Sequence, residues 1–237
     1  MTPAVSPKRF YEAVRIEPAT SGHAILLDGK QARTPAKAEL VVPARALAKA
    51  IAAEWDAQGE KIEPKTMPLT KRANVALDGV RGREAQVVEE IVAYAGSDLL
   101  CYRAEKPEGL SELQCGLWNP VLAWVEEEFG ARFKTQAGVS HITQPQESLT
   151  HVSDAFAAHD FFQLAILHTL TTLTGSALLA LAHARGRLSA DELWAAAHVD
   201  EDWQISRWGE DAEAKARRAV RRAEFDAGSR FLELSRA

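Results

Sequence analysis

Two rhythms of hydrophobic and polar positions divide this chain. Up to about residue 45 the period is short. Val14 and Ile16 alternate with charged neighbours, and His23 to Leu27 is a brief apolar run. Asp28-Gly29 is a two-residue hairpin signal, with a return strand at Gln31 to Thr34. Glu39 to Val42 reads as one more short strand, and Pro35 and Pro43 close these segments. Together they predict a small, twisted antiparallel sheet. Beyond Pro43 the apolar spacing turns helical. Leu47, Ala50, Ile51 and Trp55 share one face of a helix that Gly59 ends. Thr70 reads as the N-cap of a helix through Val75 and Leu77, which Asp78-Gly79 ends. Arg83 to Ala95 directs Val87, Val88, Ile91 and Tyr94 inward. Leu99 to Tyr102 fits either a strand or a buried turn.

From Ser111 onward the pattern is almost wholly helical. Leu113, Leu117, Trp118, Val121, Leu122 and Val125 recur through Phe129, and Asn119-Pro120 predicts a kink or a restart with Asn119 as a second N-cap. Ala131 to Gln146 is an irregular bridge. Phe161 to Ala182 is the most apolar stretch, opened by Asp154 or Asp160. It contains Gln163, His168 and a Gly175-Ser176 break, and Gly186 ends it. A membrane span needs ~20 mostly apolar residues, so two buried helices fit better. Ser189-Ala190-Asp191-Glu192 is a capping box. The last helix, Glu210 to Leu234, carries Ala216, Ala219, Val220, Ala223 and Ala227 on one face, which predicts close helix packing there. The fold class is α+β. A small β-rich N-terminal domain with one helix (residues 1–65) precedes a larger, mainly α-helical domain (66–237).

Composition narrows the function classes. With 237 residues, 46% hydrophobic content and a net charge of −5, the chain supports a real core and suits a soluble protein. A pI near 5.8 argues against a nucleic-acid partner. Only two cysteines, Cys101 and Cys115, are present, without the CxxC of a zinc knuckle. The opening MTPAVSPKRF has neither an apolar run nor the arginines of a transit peptide.

Catalytic patterns do not stand out. The sequence has no GxxxxGK[ST], GxGxxG, HExxH or GxSxG, and its seven histidines are scattered. The densest chemistry lies between Asp200 and Arg222. Trp203 and Trp208 sit among Asp200, Glu201, Asp202, Glu210, Asp211 and Glu213, and a basic run from Lys215 to Arg222 follows. Acids at the start of a helix and bases later suit its dipole, with Glu213–Arg217 and Asp211–Lys215 as i,i+4 pairs of ~0.3 kcal/mol each. The tryptophans are either a docking face or core side chains. Arg207 is placed to pair with Asp202 or Asp211, or to lie on an indole face. Carboxylates also bind hard cations, so a metal-dependent hydrolase using the Asp200–Asp211 cluster is the alternative reading, although the order of a calcium loop is lacking.

Ordered blocks along the chain carry a more specific signal. Trp55-Asp56-Ala57-Gln58 leads to Met67-Pro68-Leu69-Thr70 with Asn74 and Asp78, and then to Asp98-Leu99-Leu100-Cys101-Tyr102-Arg103. Gln114 precedes Trp118-Asn119-Pro120, and Thr174-Gly175-Ser176 precedes an apolar helix. Val199-Asp200-Glu201, Gln204, and Trp208-Gly209-Glu210-Asp211 with Glu213-Ala214 come last. In this order, from about Arg9 to Leu232, the chain resembles the assembly chaperone of the ATP synthase catalytic sector, the one that holds the alpha subunit before it meets beta. The resemblance implies a chaperone rather than an enzyme, with no cofactor, and a partner in the unassembled alpha subunit. It also implies a small β-rich domain followed by a helical one and, with this N-terminus, a bacterial cytoplasmic protein, or a mature form in the mitochondrial matrix if the source is eukaryotic. The acidic motif it carries falls on Glu201, Glu210, Asp211 and Glu213. With Trp203, Gln204 and Trp208, these form the expected partner-binding set.

Overall fold

A computed structural model describes residues 7–236. The first six residues of the opening segment, read above as lacking a targeting signal, lie outside them. The structure is 61% helical with 10% strand, which makes the class α+β. Two compact units emerge. One takes the chain up to Arg83 together with Phe161–Ile166 and the residues from Ala227 on; the other takes Glu84–Asp160 and Leu167–Asp226.

The first unit is built on a small sheet of β1 (Val14–Ala19), β2 (Gly22–Leu27), β3 (Lys30–Gln31) and β4 (Val41–Val42). β2 is central. It pairs antiparallel with β1 from Val14↔Leu27 to Ala19↔Gly22, and on its other edge with β3 and β4. Asp28 and Gly29 turn the hairpin with φ of 50° and 74°, as a twisted two-residue turn requires. The Asp28 carboxylate also accepts from the amides of Ala13 (2.8 Å) and Glu12 (3.0 Å), and these bonds hold its carboxyl below the usual range. Gly22 has no substitute, since a Cβ there would fall 2.2 Å from the Val42 carbonyl oxygen.

Helix α1 (Arg45–Asp56) buries Leu47, Ala48 and Ile51 against β1, β2 and β4. Helix α2 (Pro68–Val75) starts earlier than the Thr70 cap suggested. Pro68 takes the first position, where its missing N–H costs nothing, and the cap comes from outside the local sequence. Glu54 of α1 accepts from the amides of Leu69 (2.7 Å) and Thr70 (2.8 Å) and from the Thr70 hydroxyl (2.7 Å). Asp78 does not end this helix either. It lies in a π-helical turn, Ala76–Val80, and accepts from the Thr34 hydroxyl at 2.6 Å and the Ala36 amide at 3.1 Å, which ties the turn to the sheet unit.

In the second unit, α3 (Glu84–Ala95) leads through a 3-10 turn at Leu99–Cys101 into β5 (Tyr102–Arg103) and α4 (Glu108–Phe129). β6 (Gln136–Ala137) pairs parallel with β5. Then come α5 (Gln146–Ala157), α6 (Phe161–Thr174, whose first residues belong to the first unit), α7 (Ala177–Ala184), α8 (Ala190–Ala197), α9 (Val199–Trp208) and α10 (Ala212–Leu234). α3 packs on α5 and α7, and α4 on α5, α7, α8 and α9. The apolar stretch is indeed two helices, α6 and α7, and every residue of α7 except His183 is buried. The Ser189 capping box forms as read: the Glu192 amide donates to Ser189 Oγ (3.2 Å), and the Ser189 amide donates back to Glu192 Oε2 (2.7 Å).

Three further readings need correction. Tyr94 of α3, expected to face inward, is 37% exposed. α4 is one continuous helix through Pro120, with no restart there. The carbonyl that Pro120 cannot serve belongs to Gly116, which lies at an exposed position. The alanine face of α10 is not a packing face: Val220 stands 66% exposed, and Ala216, Ala219 and Ala223 are exposed with it. The side chains of α10 that are buried are Phe225, Ala227, Ser229, Phe231 and Leu232.

Candidate functional site

The residues of the ordered sequence blocks form a buried joint at the N-terminal end of α9. Arg103 of β5 donates from Nη1 to the Gln114 carbonyl (3.1 Å) and from Nη2 to Asn119 Oδ1 (2.8 Å). Its guanidinium lies 4.8 Å over the Trp118 ring. Gln114 uses both ends of its amide: Oε1 accepts from the Ala104 amide (2.7 Å), and Nε2 donates to Asp200 Oδ1 (2.7 Å). Trp118 is fully buried, and its indole N–H donates to the Ala196 carbonyl at 2.8 Å. Burial pulls Arg103 below its ordinary pKa, yet two oxygens and an indole face satisfy the charge. Asn119 is therefore a partner for Arg103 rather than a helix cap.

Asp98 forms a second buried joint. Its Oδ1 accepts from the Leu100 amide and its Oδ2 from the Leu178 amide, both at 3.1 Å. It sits at the start of α7, where Ser176 caps the helix by accepting from the Leu179 amide at 3.0 Å. Burial pushes the Asp98 carboxyl up to about 6, against the opposing pull of Ser176 and the backbone amides. The separated blocks Asp98–Arg103 and Thr174–Ser176 are thus one structural feature.

At its other end α9 faces solvent. Trp203 lies against Gly109 of α4, where an added Cβ would be 2.9 Å from the ring, and Arg207 stacks 4.5 Å over the indole. Trp208, one turn and a half later, is 78% exposed. Gly209, at φ 83°, ends the helix. Asp211 accepts from the Ala214 amide (2.9 Å) and so caps α10 instead of pairing with Lys215, which binds Glu210 at 3.0 Å.

The basic run of α10 answers these acids residue by residue. Arg221 binds Glu201 at 3.0 Å, Arg218 binds Asp202, Arg217 binds Glu213, and Arg222 binds Asp191 (2.5 Å) and Asp226 (2.7 Å). Between Glu201 and the exposed face of α10 lies a groove of about 710 Å³, floored by Ala214, Ala216 and Val220. Of the partner-binding set, Glu201, Glu210, Asp211 and Glu213 have partners within the chain, Trp203 lies on α4, and Gln204 and Trp208 are exposed. The sequence reading placed Arg218 and Arg221 only in the basic run and Val220 only on a packing face, and did not pair the arginines with Glu201 and Asp202. The signal was there, as arginines spaced three apart some twenty residues beyond a run of acids.

Among the described residues no three His, Cys, Asp or Glu side chains converge as a metal requires. The acids of the supposed hydrolase cluster are instead engaged with Gln114 and the arginines. The family described as ATP12 chaperone protein matches residues 8–126, about half of the chain. The chain is 25% identical over 219 residues to the mitochondrial protein atp12 of Schizosaccharomyces pombe, covering 87% of this chain and 75% of that protein. The crystal structure of Atp12 from Paracoccus denitrificans aligns with a TM-score of 0.92 at 40% identity, over 97% of this chain and 98% of that one. A candidate chaperone from Agrobacterium tumefaciens aligns with a TM-score of 0.90 at 47% identity, over 96% and 86%. The chain belongs to the ATP12 chaperone family, a family of assembly chaperones and not of enzymes.

Proposed function

We propose that this protein is a chaperone of ATP synthase assembly that binds the unassembled alpha subunit and keeps its exposed subunit interface from aggregating until beta replaces it. The observation that carries the reading is Trp208, 78% exposed at the end of a helix whose other end is locked into the interior. Unassembled subunits expose apolar surface, and a tryptophan set in a polar rim is a suitable anchor for it. Glu201, Trp203, Gln204, Glu210, Asp211 and Glu213 form that rim. The partners of Glu201, Glu210, Asp211 and Glu213 within the chain keep the face ordered before the client arrives. The Paracoccus and Agrobacterium relatives favour an alphaproteobacterial source and a cytoplasmic setting, and the S. pombe relative favours the mitochondrial matrix for eukaryotic members. Among the described residues no helix is long and apolar enough to cross a membrane.

The test mixes the protein with purified, beta-free alpha subunit from the same organism. Light scattering and a sizing column follow the mixture. Suppressed scattering, with a co-eluting complex that beta dissolves, is the expected result. Unchanged aggregation without co-elution overturns the reading.

A further inference from the structure

The outward side of α4 is apolar where a surface helix normally carries charge. Leu113 is 48% exposed and Leu117 37%, and Gly116 and Pro120 are exposed beside them. The half-buried Trp124 continues the row, its ring edge-on to Phe129 at 5.3 Å. Spacings of three and four set these positions on one stripe. Gln114, Trp118, Val121 and Val125 take the other side of the helix and are buried. α4 therefore has two apolar sides, and the fold covers one. The stripe begins at Gly109, beneath the Trp203 ring, and reaches Trp124 about 22 Å further on.

Gly116 and the charges at the margins say what fits there. Glycine is a poor residue for a helix interior, and no neighbour requires it at this position: a Cβ at Gly116 would meet nothing within 4 Å. It leaves a notch in the middle of the stripe. The charges of α4 are of one sign, five glutamates with no lysine or arginine. Glu126 is met by Arg132 at 3.6 Å. Glu108, Glu112, Glu127 and Glu128 are exposed and their side chains make no ion pair or hydrogen bond among the described residues. Arg185 and Arg207 lie over the rings of Phe129 (5.5 Å) and Trp203 (4.5 Å) rather than on these carboxylates.

We propose that this stripe binds a basic amphipathic helix of a partner chain. The apolar side chains of that helix pack along Leu113, Leu117 and Trp124, and one of them seats in the notch at Gly116. Its lysines or arginines meet Glu112 at one margin and Glu127 and Glu128 at the far end. A straight, uncharged stripe of about four turns is matched by the apolar face of another helix, whose side chains enter gaps between those of α4. The unpaired carboxylates select basic flanks over acidic ones. The site makes no use of Trp208, so it goes beyond the alpha-subunit reading and stands or falls apart from it.

The experiment titrates the full ¹⁵N-labelled chain with a terminally blocked amphipathic helix of about 18 residues built from Leu, Ala and Lys, and separately with the same helix carrying Glu for Lys. The basic helix is expected to shift the Trp124 indole and the Leu113 and Leu117 amide signals saturably, and the acidic one to bind at least about tenfold more weakly. Gly116→Lys sets a charge in the notch without a clash and improves helix propensity. Its melting temperature should hold or rise while its affinity for the basic helix falls about tenfold. Leu117→Ser should weaken the same helix by a similar factor, and Trp208→Ala should leave it unchanged. Absence of saturable shifts along α4, equal binding of the two helices, unchanged affinity in Gly116→Lys, or loss of binding in Trp208→Ala overturns the proposal. Capture of the alpha subunit is measured separately on the same variants, so failure of either reading is recognisable without the other.

Discussion

At its N-terminal end α9 reaches inward, with Asp200 hydrogen-bonded to Gln114 and, through it, joined to Arg103, Asn119 and Trp118. At its C-terminal end the same helix holds Trp208 out in water. Trp203, between them, rests on Gly109 under Arg207. Acid and indole therefore mean different things at positions a few residues apart. Inside, Gln114, Arg103 and the Trp118 indole N–H each have specific partners, and losing one leaves others unpaired in a medium that cannot replace them. Outside, the paired ions are exposed and individually weak, and what remains available for a partner is apolar area. The inner end serves as a mount and the outer end as the face it presents.

Variants at the two ends should therefore differ in kind. Trp118→Ala strikes the mount. It opens a cavity, frees the Ala196 carbonyl and removes the face under Arg103, so urea unfolding should show a loss of about 4 kcal/mol. A loss below about 1 kcal/mol would mean the joint contributes little.

The next effect concerns pH. The Asp98 carboxyl, pushed up to about 6 mainly by burial, keeps its proton in the native state where the unfolded chain has already lost it. Its protonation thus contributes stability that is complete below about pH 4 and is lost as pH rises through about 6. The size is on the order of 2–3 kcal/mol between pH 4 and pH 7. Stability curves for the parent and Asp98→Asn should differ in slope over that window, because the amide does not titrate. Parallel curves would place the ionisation elsewhere.

Trp208→Ala probes the presented face. Alpha-subunit binding, measured by calorimetry, should weaken by more than ~1 kcal/mol while the melting temperature holds. Equal affinity in a folded variant removes this tryptophan as an anchor. The smallest effect belongs to Glu213→Ala. Its exposed pair with Arg217 should contribute less than about 0.5 kcal/mol to stability. A larger loss would show that the ion pairs of α9 and α10 act as a cooperative lattice.

Local signals made most of the fold legible. The Asp28-Gly29 hairpin, the Ser189 capping box and the break at Gly175-Ser176 each rest on chemistry within four residues, and each appears where the residues place it. What failed were readings that needed a distant partner. Thr70 looks like a cap until Glu54 takes that role, and Asn119-Pro120 looks like a restart until Arg103 claims the amide. The acidic and tryptophan stretch was visible as a candidate site, but its residues carry no mark that separates mount from face. The alanine stripe of α10 was misleading for a related reason. Helical spacing shows which residues share a side, not whether anything packs against it.

By itself the sequence determined the α+β class, the succession of strands and helices, and, through the ordered blocks it shares with the ATP12 chaperone family, the membership now supported by the Paracoccus and Agrobacterium structures. Those features depend on turn chemistry, periodicity and order along the chain. Only the tertiary structure decided that Asp98 serves α7, that Gln114 holds Asp200, and that Glu201, Asp202 and Glu213 are met by the arginines of α10. Whether a polar side chain is a strut or a free contact depends on which group the fold brings to it, and most of these partners lie far along the chain from the residues they satisfy.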